Sequence, residues 1–79
     1  MYRLFMRKTC PYSKDVIEYA HEKSIPLTLC DIQDEKFKEE LIKRGGEEKT
    51  PYLIDTDHDV SMYESKLIKA YLNEHKDSQ

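Results

Sequence analysis

The segment KTCPYSK (residues 8–14) gives its cysteine the surroundings of a reactive thiol. Cys10 follows a short apolar run and precedes Pro11, a residue that suits the first position of a helix. The free N–H groups and partial positive charge of a helix N-terminus favour an anion, and Arg7 and Lys8 add positive charge just upstream. We therefore expect Cys10 to be a nucleophile with a lowered pKa. The alternative is a cysteine at a loop end without a role.

Ser13 stands where a second cysteine would complete a pair for disulfide exchange. Residues three apart share a helix face, so Ser13 is expected beside Cys10. A hydroxyl cannot resolve a disulfide, but it can donate a hydrogen bond to a thiolate and stabilise it. The segment thus predicts exchange through one sulfur. Cys30 is the competing resolving thiol, but a bridge needs Cα atoms within about 7 Å. Its place on a separate strand favours a small buried residue.

Two further stretches have the residue types of a binding site. A cis Thr50–Pro51 bond would leave the backbone of Thr50 exposed as a pairing edge, whereas a trans proline opening a strand is the interpretation that the residues alone favour. In MYES (62–65), N–H groups of a helix start could hold an amino-acid-like head group together with the side chains of Glu64 and Ser65. Capping of that helix by these two side chains is the alternative, and the local sequence favours it.

The spacing of apolar residues predicts seven elements in the order β-α-β-α-β-β-α. Strands are predicted over residues 2–6, 27–32, 51–55 and 60–62. Helices are predicted from Pro11 to about residue 24, from Asp34 as N-cap to Gly45 or Gly46, and from near Glu64 with an inner stripe of Leu67, Ile68, Tyr71 and Leu72. The first two strands should be parallel and the last two antiparallel. The predicted fold class is α/β, with a four-stranded mixed sheet flanked by helices.

Composition limits the classes of function. The 79 residues carry a net charge of −3, with 37% charged and 38% hydrophobic residues, which suits one soluble domain over residues 1–75 and a frayed tail over 76–79. No basic patch with interleaved aromatics is present, so we expect no nucleic-acid partner. The N-terminal apolar run is too short for a signal peptide or a membrane span, which favours a cytoplasmic protein with reduced cysteines. The scattered histidines predict no intrinsic metal site.

Three segments taken together resemble a known family. TCPYS (9–13) matches the active-site segment TCPYC of glutaredoxins except at its last residue, and KRGGEEKTPYLID (43–55) resembles their segment leading into the cis-proline strand. MYESKLIKAYL (62–72) is closer to the N-terminal domain of glutathione S-transferases. The chain therefore resembles the glutaredoxins of the thioredoxin-like superfamily and this transferase domain, over about residues 2–72.

The resemblance implies a glutathione site. Cys10 is the implied nucleophile, and Thr50, before a cis-Pro51, is implied to pair its backbone with the cysteinyl part of glutathione. A Glu-Ser pair holds the γ-glutamyl group in the transferase pattern, and basic residues lie near the glycyl carboxylate. The remaining residues implied to contact glutathione are Arg7, Tyr12, Lys49, Glu64 and Ser65. The chain departs from the glutaredoxin pattern at Ser13, at Ser61-Met62 in place of a Gly-Gly pair, and at Glu47, where a basic residue is common.

The implied function is that of a monothiol glutaredoxin-like oxidoreductase, which reduces protein–glutathione mixed disulfides through Cys10. Glutathione would be its co-substrate, glutathionylated proteins its partners, and the chain a monomer. The alternative is a module that binds or carries glutathione or an iron–sulfur cluster with little turnover, although Pro11 stiffens the loop and disfavours a cluster. A docking domain that keeps only the fold is the third possibility.

Overall fold

The computed structural model describes residues 1–75 of the chain. Within these residues the predicted order of elements is confirmed, and the bounds shift by at most a few residues. The strands are β1 (Tyr2–Met6), β2 (Thr28–Asp31), β3 (Tyr52–Asp55) and β4 (Val60–Tyr63), and the helices are α1 (Pro11–Glu22), α2 (Glu35–Gly45) and α3 (Ser65–His75). The tail predicted at residues 76–79 lies outside the described residues, so the domain boundary stays a prediction.

The four strands form one sheet in the order β2-β1-β3-β4. β1 runs parallel to β2, whereas β3 pairs antiparallel with both β1 and β4. In this register Phe5 lies opposite Cys30 on one side and Tyr52 on the other. The predicted mixed sheet, with a parallel first pair and an antiparallel last pair, is confirmed.

Apolar side chains of the central strands alternate between two cores, because successive residues of a strand point to opposite faces. One face of β1 packs against α1 and α3 in a cluster that contains Tyr2, Leu4, Met6, Val16, Ala20, Ile68 and Leu72. The other face packs with Phe5, Cys30, Ile32, Leu41, Tyr52 and Ile54 beneath α2. Helices thus cover both faces of the sheet. Cys30 is only 1% exposed, which confirms the interpretation of this cysteine as a small buried residue.

The helix ends follow the local sequence. Pro11 occupies the first turn of α1, and the Asp34 carboxylate accepts a hydrogen bond from the Lys36 N–H at 3.2 Å, as expected of an N-cap. α2 ends at Gly46, whose φ of 85° lies in the left-handed region that glycine adopts without cost, and whose N–H bonds the Ile42 carbonyl. These ends fix where each helix begins relative to the sheet.

Two sequence interpretations are wrong. The Thr50–Pro51 bond is cis, as the family resemblance implied, and not trans, as the residues alone favoured. Leu67 was expected on the inner stripe of α3, but its side chain is 53% exposed. The buried positions of this helix are Ile68 and Leu72, four residues apart, and Leu67 lies one step off that line.

A buried carboxylate joins β3 to the following turn and to α3. Asp55 is 1% exposed and accepts hydrogen bonds from the Tyr71 hydroxyl at 2.6 Å and the Asp57 N–H at 3.0 Å, with the Nδ1 atom of His58 at 2.8 Å. Burial works to raise the pKa of Asp55, but these hydrogen bonds outweigh it and lower the pKa. Burial and the Asp55 carboxylate together raise the pKa of Tyr71. The charge on Asp55 therefore stabilises this end of the sheet.

Among the helices of residues 1–75, none combines the length and the apolar character needed to cross a membrane.

Candidate thiol site and adjoining cleft

Cys10 lies at the junction of β1 and α1, in the N-cap position of the helix. Its backbone is extended (φ −85°, ψ 115°), its N–H donates to the Arg7 carbonyl at 3.0 Å, and its carbonyl accepts from the Lys14 N–H at 3.2 Å. The first bond closes the turn after the strand, and the second begins the helix. The thiol is thereby held at the positive end of α1, as the sequence predicted.

The surroundings of the thiol favour its ionised form. The Sγ atom of the protonated thiol donates to the Thr50 carbonyl at 3.7 Å, across the junction between α1 and the loop before β3, and this one contact is lost when the thiol ionises. Burial works to raise the pKa of Cys10, but donors close to the sulfur, which are the side chains of Ser13 and Thr50 and the N–H groups of Ser13 and Tyr12, favour the thiolate and outweigh it. The net effect is a lowered pKa. Cys10 is half-buried, so a ligand can still reach its sulfur.

The direction of this pKa shift was predicted correctly, and so were the contributions of Ser13 and of the N–H groups at the start of α1, but the contribution expected of Arg7 and Lys8 was not. The sequence indicated help from Arg7 and Lys8, whereas the groups that lower the pKa of Cys10 are neutral hydrogen-bond donors. The Arg7 guanidinium instead lies 3.9 Å from the Glu48 carboxylate, and both Arg7 and Lys8 are exposed. Nearness in sequence therefore overstated the electrostatic effect of the two cations.

Ser13 is fully buried next to the thiol. Among residues 1–75 its Oγ atom has no hydrogen-bond partner of ordinary geometry, although it is near enough to Cys10 to lower the pKa of that thiol. Leaving a buried hydroxyl without a strong partner costs free energy. The buried Ser13 hydroxyl thus lowers the stability of the fold while Cys10 is protonated. When Cys10 is ionised, the same hydroxyl can donate a hydrogen bond to the thiolate.

A cleft of about 360 Å³ includes Thr50, whose carbonyl contacts the Cys10 sulfur, although Cys10 itself is not among the residues that line it. Its walls come from the start of α1, the loop before β3, the end of β4 and the start of α3. The residues that line it are Tyr12, Lys49, Thr50, Pro51, Tyr63, Glu64, Ser65 and Lys66. The cleft is open to solvent, and most of its surface is apolar, with cationic, anionic and hydroxyl groups along its walls. Such a lining suits a small ligand that has both apolar and charged parts.

Glu64 adopts an unusual backbone conformation in this cleft. Its φ of 72° lies in the left-handed region, which costs an L-residue other than glycine roughly 1–2 kcal/mol. Its carbonyl accepts from the Ile68 N–H at 3.0 Å, so the residue also begins α3 through its backbone. Such strain persists only where the surroundings fix it, and it clusters at functional sites. Both interpretations of MYES, helix start and binding element, are compatible with this geometry.

The structure brings together most of the residues that the sequence singled out. Of the seven residues expected to contact glutathione, six line the cleft: Tyr12, Lys49, Thr50, Pro51, Glu64 and Ser65. Arg7 is the exception, since it turns toward Glu48. That these residues bind glutathione stays a prediction. Sequence reasoning missed Tyr63 and Lys66, although both flank the Glu-Ser pair that it had identified.

No group of three or more histidine, cysteine, aspartate or glutamate side chains in the described part of the chain is arranged to hold a metal ion.

The sheet order, the helices on both faces and the thiol at the first helix define a thioredoxin-like domain. The solution structure of a glutaredoxin from Brucella melitensis shares this fold with a TM-score of 0.70 at 19% identity, and the match covers 98% of this chain and 84% of that one. The model of the family described as "Glutathione S-transferase, N-terminal domain" matches residues 4–79. The chain therefore belongs to the family of glutathione S-transferase N-terminal domains.

No curated protein matches the sequence. The family and the fold together support a role in thiol–disulfide exchange or glutathione binding.

Proposed function

We propose that the protein is a monothiol, glutathione-dependent oxidoreductase that reduces protein–glutathione mixed disulfides through Cys10. The observation that carries this proposal is the half-buried Cys10 thiol, with its lowered pKa, next to Thr50 of a cleft that has charged and hydroxyl groups, and with Ser13 in the place of a resolving cysteine. We further propose that it acts as a monomer in the cytoplasm, where glutathione is abundant and cysteines stay reduced.

In the first step the Cys10 thiolate attacks the glutathione sulfur of a glutathionylated protein. The disulfide between protein and glutathione breaks, a disulfide between Cys10 and glutathione forms, and the protein leaves as a thiolate that takes up a proton. The cleft holds the glutathione part, with Glu64 and Ser65 at the γ-glutamyl end, the Thr50 backbone at the cysteinyl part and Lys49 near the glycyl carboxylate. Binding of the glutathione part selects which sulfur is attacked.

In the second step a free glutathione thiolate attacks the glutathione sulfur of that mixed disulfide. Oxidised glutathione leaves, and Cys10 returns as a thiolate. The Ser13 donor stabilises this leaving thiolate, and a more stable leaving thiolate departs faster. Ser13 cannot attack the mixed disulfide itself, and Cys30 is buried beneath α2, so the intermediate waits for glutathione.

The test is the turnover of a glutathionylated peptide with reduced glutathione, for the wild type and two single variants. We expect Cys10→Ser to abolish turnover and Cys30→Ser to keep most of it. Equal losses in both variants would point to Cys30 as a resolving thiol. A wild-type protein that binds glutathione but does not turn over the peptide would favour a carrier role, and an ultraviolet-visible spectrum after cluster reconstitution would identify an iron–sulfur carrier.

A further inference from the structure

Tyr63, the last residue of β4, lines the cleft, and its hydroxyl bonds the backbone of the loop before β3. The hydroxyl donates to the Glu47 carbonyl at 2.8 Å and accepts from the Glu47 N–H at 3.3 Å. Glu47 lies in the loop of residues 46–50, which joins α2 to β3. One side chain thus satisfies both backbone groups of a residue in the middle of this loop.

The end of α2 is shaped to admit this side chain. A Cβ atom at Gly45 would overlap the Tyr63 hydroxyl and come within 2.8 Å of the Tyr63 Cζ atom, closer than such atoms approach. The left-handed φ of this helix end belongs to Gly46, so Gly45 is required for space rather than for conformation. The two glycines therefore have different roles: Gly46 adopts the left-handed φ, and Gly45 leaves the space that the Tyr63 hydroxyl occupies.

The ring of Tyr63 adds two further contacts. It packs on the Tyr52 ring with centroids 4.5 Å apart, which anchors it to the core at β3. The Lys49 ammonium lies 5.9 Å from the centroid of the Tyr63 ring, within the range of a cation–π interaction. Tyr63 therefore connects the core, the middle of the loop and the cationic residue next to Thr50.

We propose that Tyr63 is a positioning residue, which fixes the loop of residues 46–50 so that Thr50 meets Cys10 and Lys49 lies along the cleft. This inference rests on the proposed function for its effect on glutathione. Its effect on the thiol is independent of that function, because the Thr50 side chain is among the groups that lower the pKa of Cys10. A loosened loop should weaken glutathione binding and raise that pKa together.

The test compares Tyr63→Phe, which keeps the ring and removes the hydroxyl, with Tyr19→Phe on α1 as a matched control. For Tyr63→Phe we expect the KM for glutathione to rise about fivefold, the effect of losing about one net hydrogen bond. The pH profile of Cys10 alkylation should shift toward higher pH. All samples should also carry Cys30→Ser, so that Cys10 is the thiol whose alkylation is measured. Tyr19→Phe should change neither quantity.

Gly45→Ala separates positioning from direct contact, because it adds nothing to the cleft but displaces the Tyr63 hydroxyl. We expect it to raise the KM and shift the alkylation profile in the same direction. Its effect should be smaller in a Tyr63→Phe background, where the hydroxyl is absent. If Tyr63→Phe raises the KM while Gly45→Ala leaves it unchanged, Tyr63 contacts the ligand directly and the proposal is wrong.

An alkylation profile and a KM for Tyr63→Phe that equal those of Tyr19→Phe would also overturn the proposal. A failure of the proposed function is distinguishable from both outcomes. In that case the wild type shows no turnover, and the alkylation profiles alone decide whether Tyr63 positions the loop.

Discussion

Replacing Ser13 with alanine should change stability and reactivity in opposite directions. The Ser13 hydroxyl is fully buried and has no hydrogen-bond partner of ordinary geometry among residues 1–75. Removing it should therefore stabilise the fold. The same hydroxyl lowers the pKa of Cys10, so its removal should raise that pKa and leave less thiolate at neutral pH.

The size of the stability change follows from the desolvation cost. A buried polar group without a partner costs about 1–3 kcal/mol, and alanine is also the better helix former inside α1. Because the Cys10 sulfur offers Ser13 a weak partner, we expect a gain of about 1 kcal/mol for Ser13→Ala. For a domain of this size that gain raises the melting temperature by about 4–8 °C.

The gain should also depend on pH. The pKa of Cys10 is lower in the folded state than in the unfolded chain, so the thiolate's hydrogen bonds stabilise the fold fully above the unfolded value of about 8.5. This stabilisation is lost as pH falls through the folded pKa. Ser13→Ala removes part of it, so its advantage should be largest below the folded pKa and should shrink as pH rises.

The assay is urea unfolding at several pH values, together with alkylation rates of Cys10 in a Cys30→Ser background. Ser61→Ala, on the exposed side of β4, is the control for loss of a serine hydroxyl. A Ser13→Ala variant that is less stable than the wild type at low pH would show that the hydroxyl is well bonded. An unshifted alkylation profile would show that Ser13 does not act on the thiol.

Three further results are expected. Ser13→Cys should form a disulfide with Cys10 and gain activity in insulin reduction, because a neighbouring thiol competes with millimolar glutathione as an intramolecular attacker; equal insulin reduction by the wild type would contradict this. Glu64→Gly should stabilise the fold by about 1 kcal/mol in urea unfolding by relieving the positive φ, while raising the KM for glutathione; Glu64→Gln should raise the KM without that gain. Asp55→Asn should cost about 1–3 kcal/mol at pH 7, because the pKa of Asp55 is lowered on folding and its stabilisation is present above about pH 3.9. That stabilisation is lost as pH falls through the folded pKa, so Asp55→Asn should lose stability less steeply in acid than the wild type. If the stability of both proteins falls in parallel with decreasing pH, the Asp55 carboxylate does not stabilise the fold.

Local patterns were enough to predict the elements and their order. The short apolar run of β1, the proline at the start of α1, the Asp34 cap and the glycine end of α2 each act within a few residues, so each can be recognised without tertiary contacts. Leu67 was misassigned because it is next to Ile68 in the sequence, and either residue could belong to the buried stripe of a helix with 3.6 residues per turn. Packing against the sheet decides that Ile68 is buried and Leu67 is exposed.

The residues of the site could be predicted only where they lie within one continuous segment of the sequence. The thiol and the Glu-Ser pair each lie at a helix start that the sequence marks, and the family resemblance connected them. The isomer of Thr50–Pro51 could not be read from the residues, since both isomers suit a proline before a strand. The contact of Tyr63 with Glu47 and that of Arg7 with Glu48 each join separate segments of the chain, and no local pattern encodes such contacts.

The central claim is that Cys10 alone exchanges with glutathione, and mass spectrometry after treatment with oxidised glutathione tests it most directly. We expect one glutathione adduct per chain, located on Cys10 by peptide mapping, with Cys30 as a free thiol and full removal of the adduct by reduced glutathione. An adduct on Cys30, or a disulfide between Cys10 and Cys30 in place of the adduct, would contradict it.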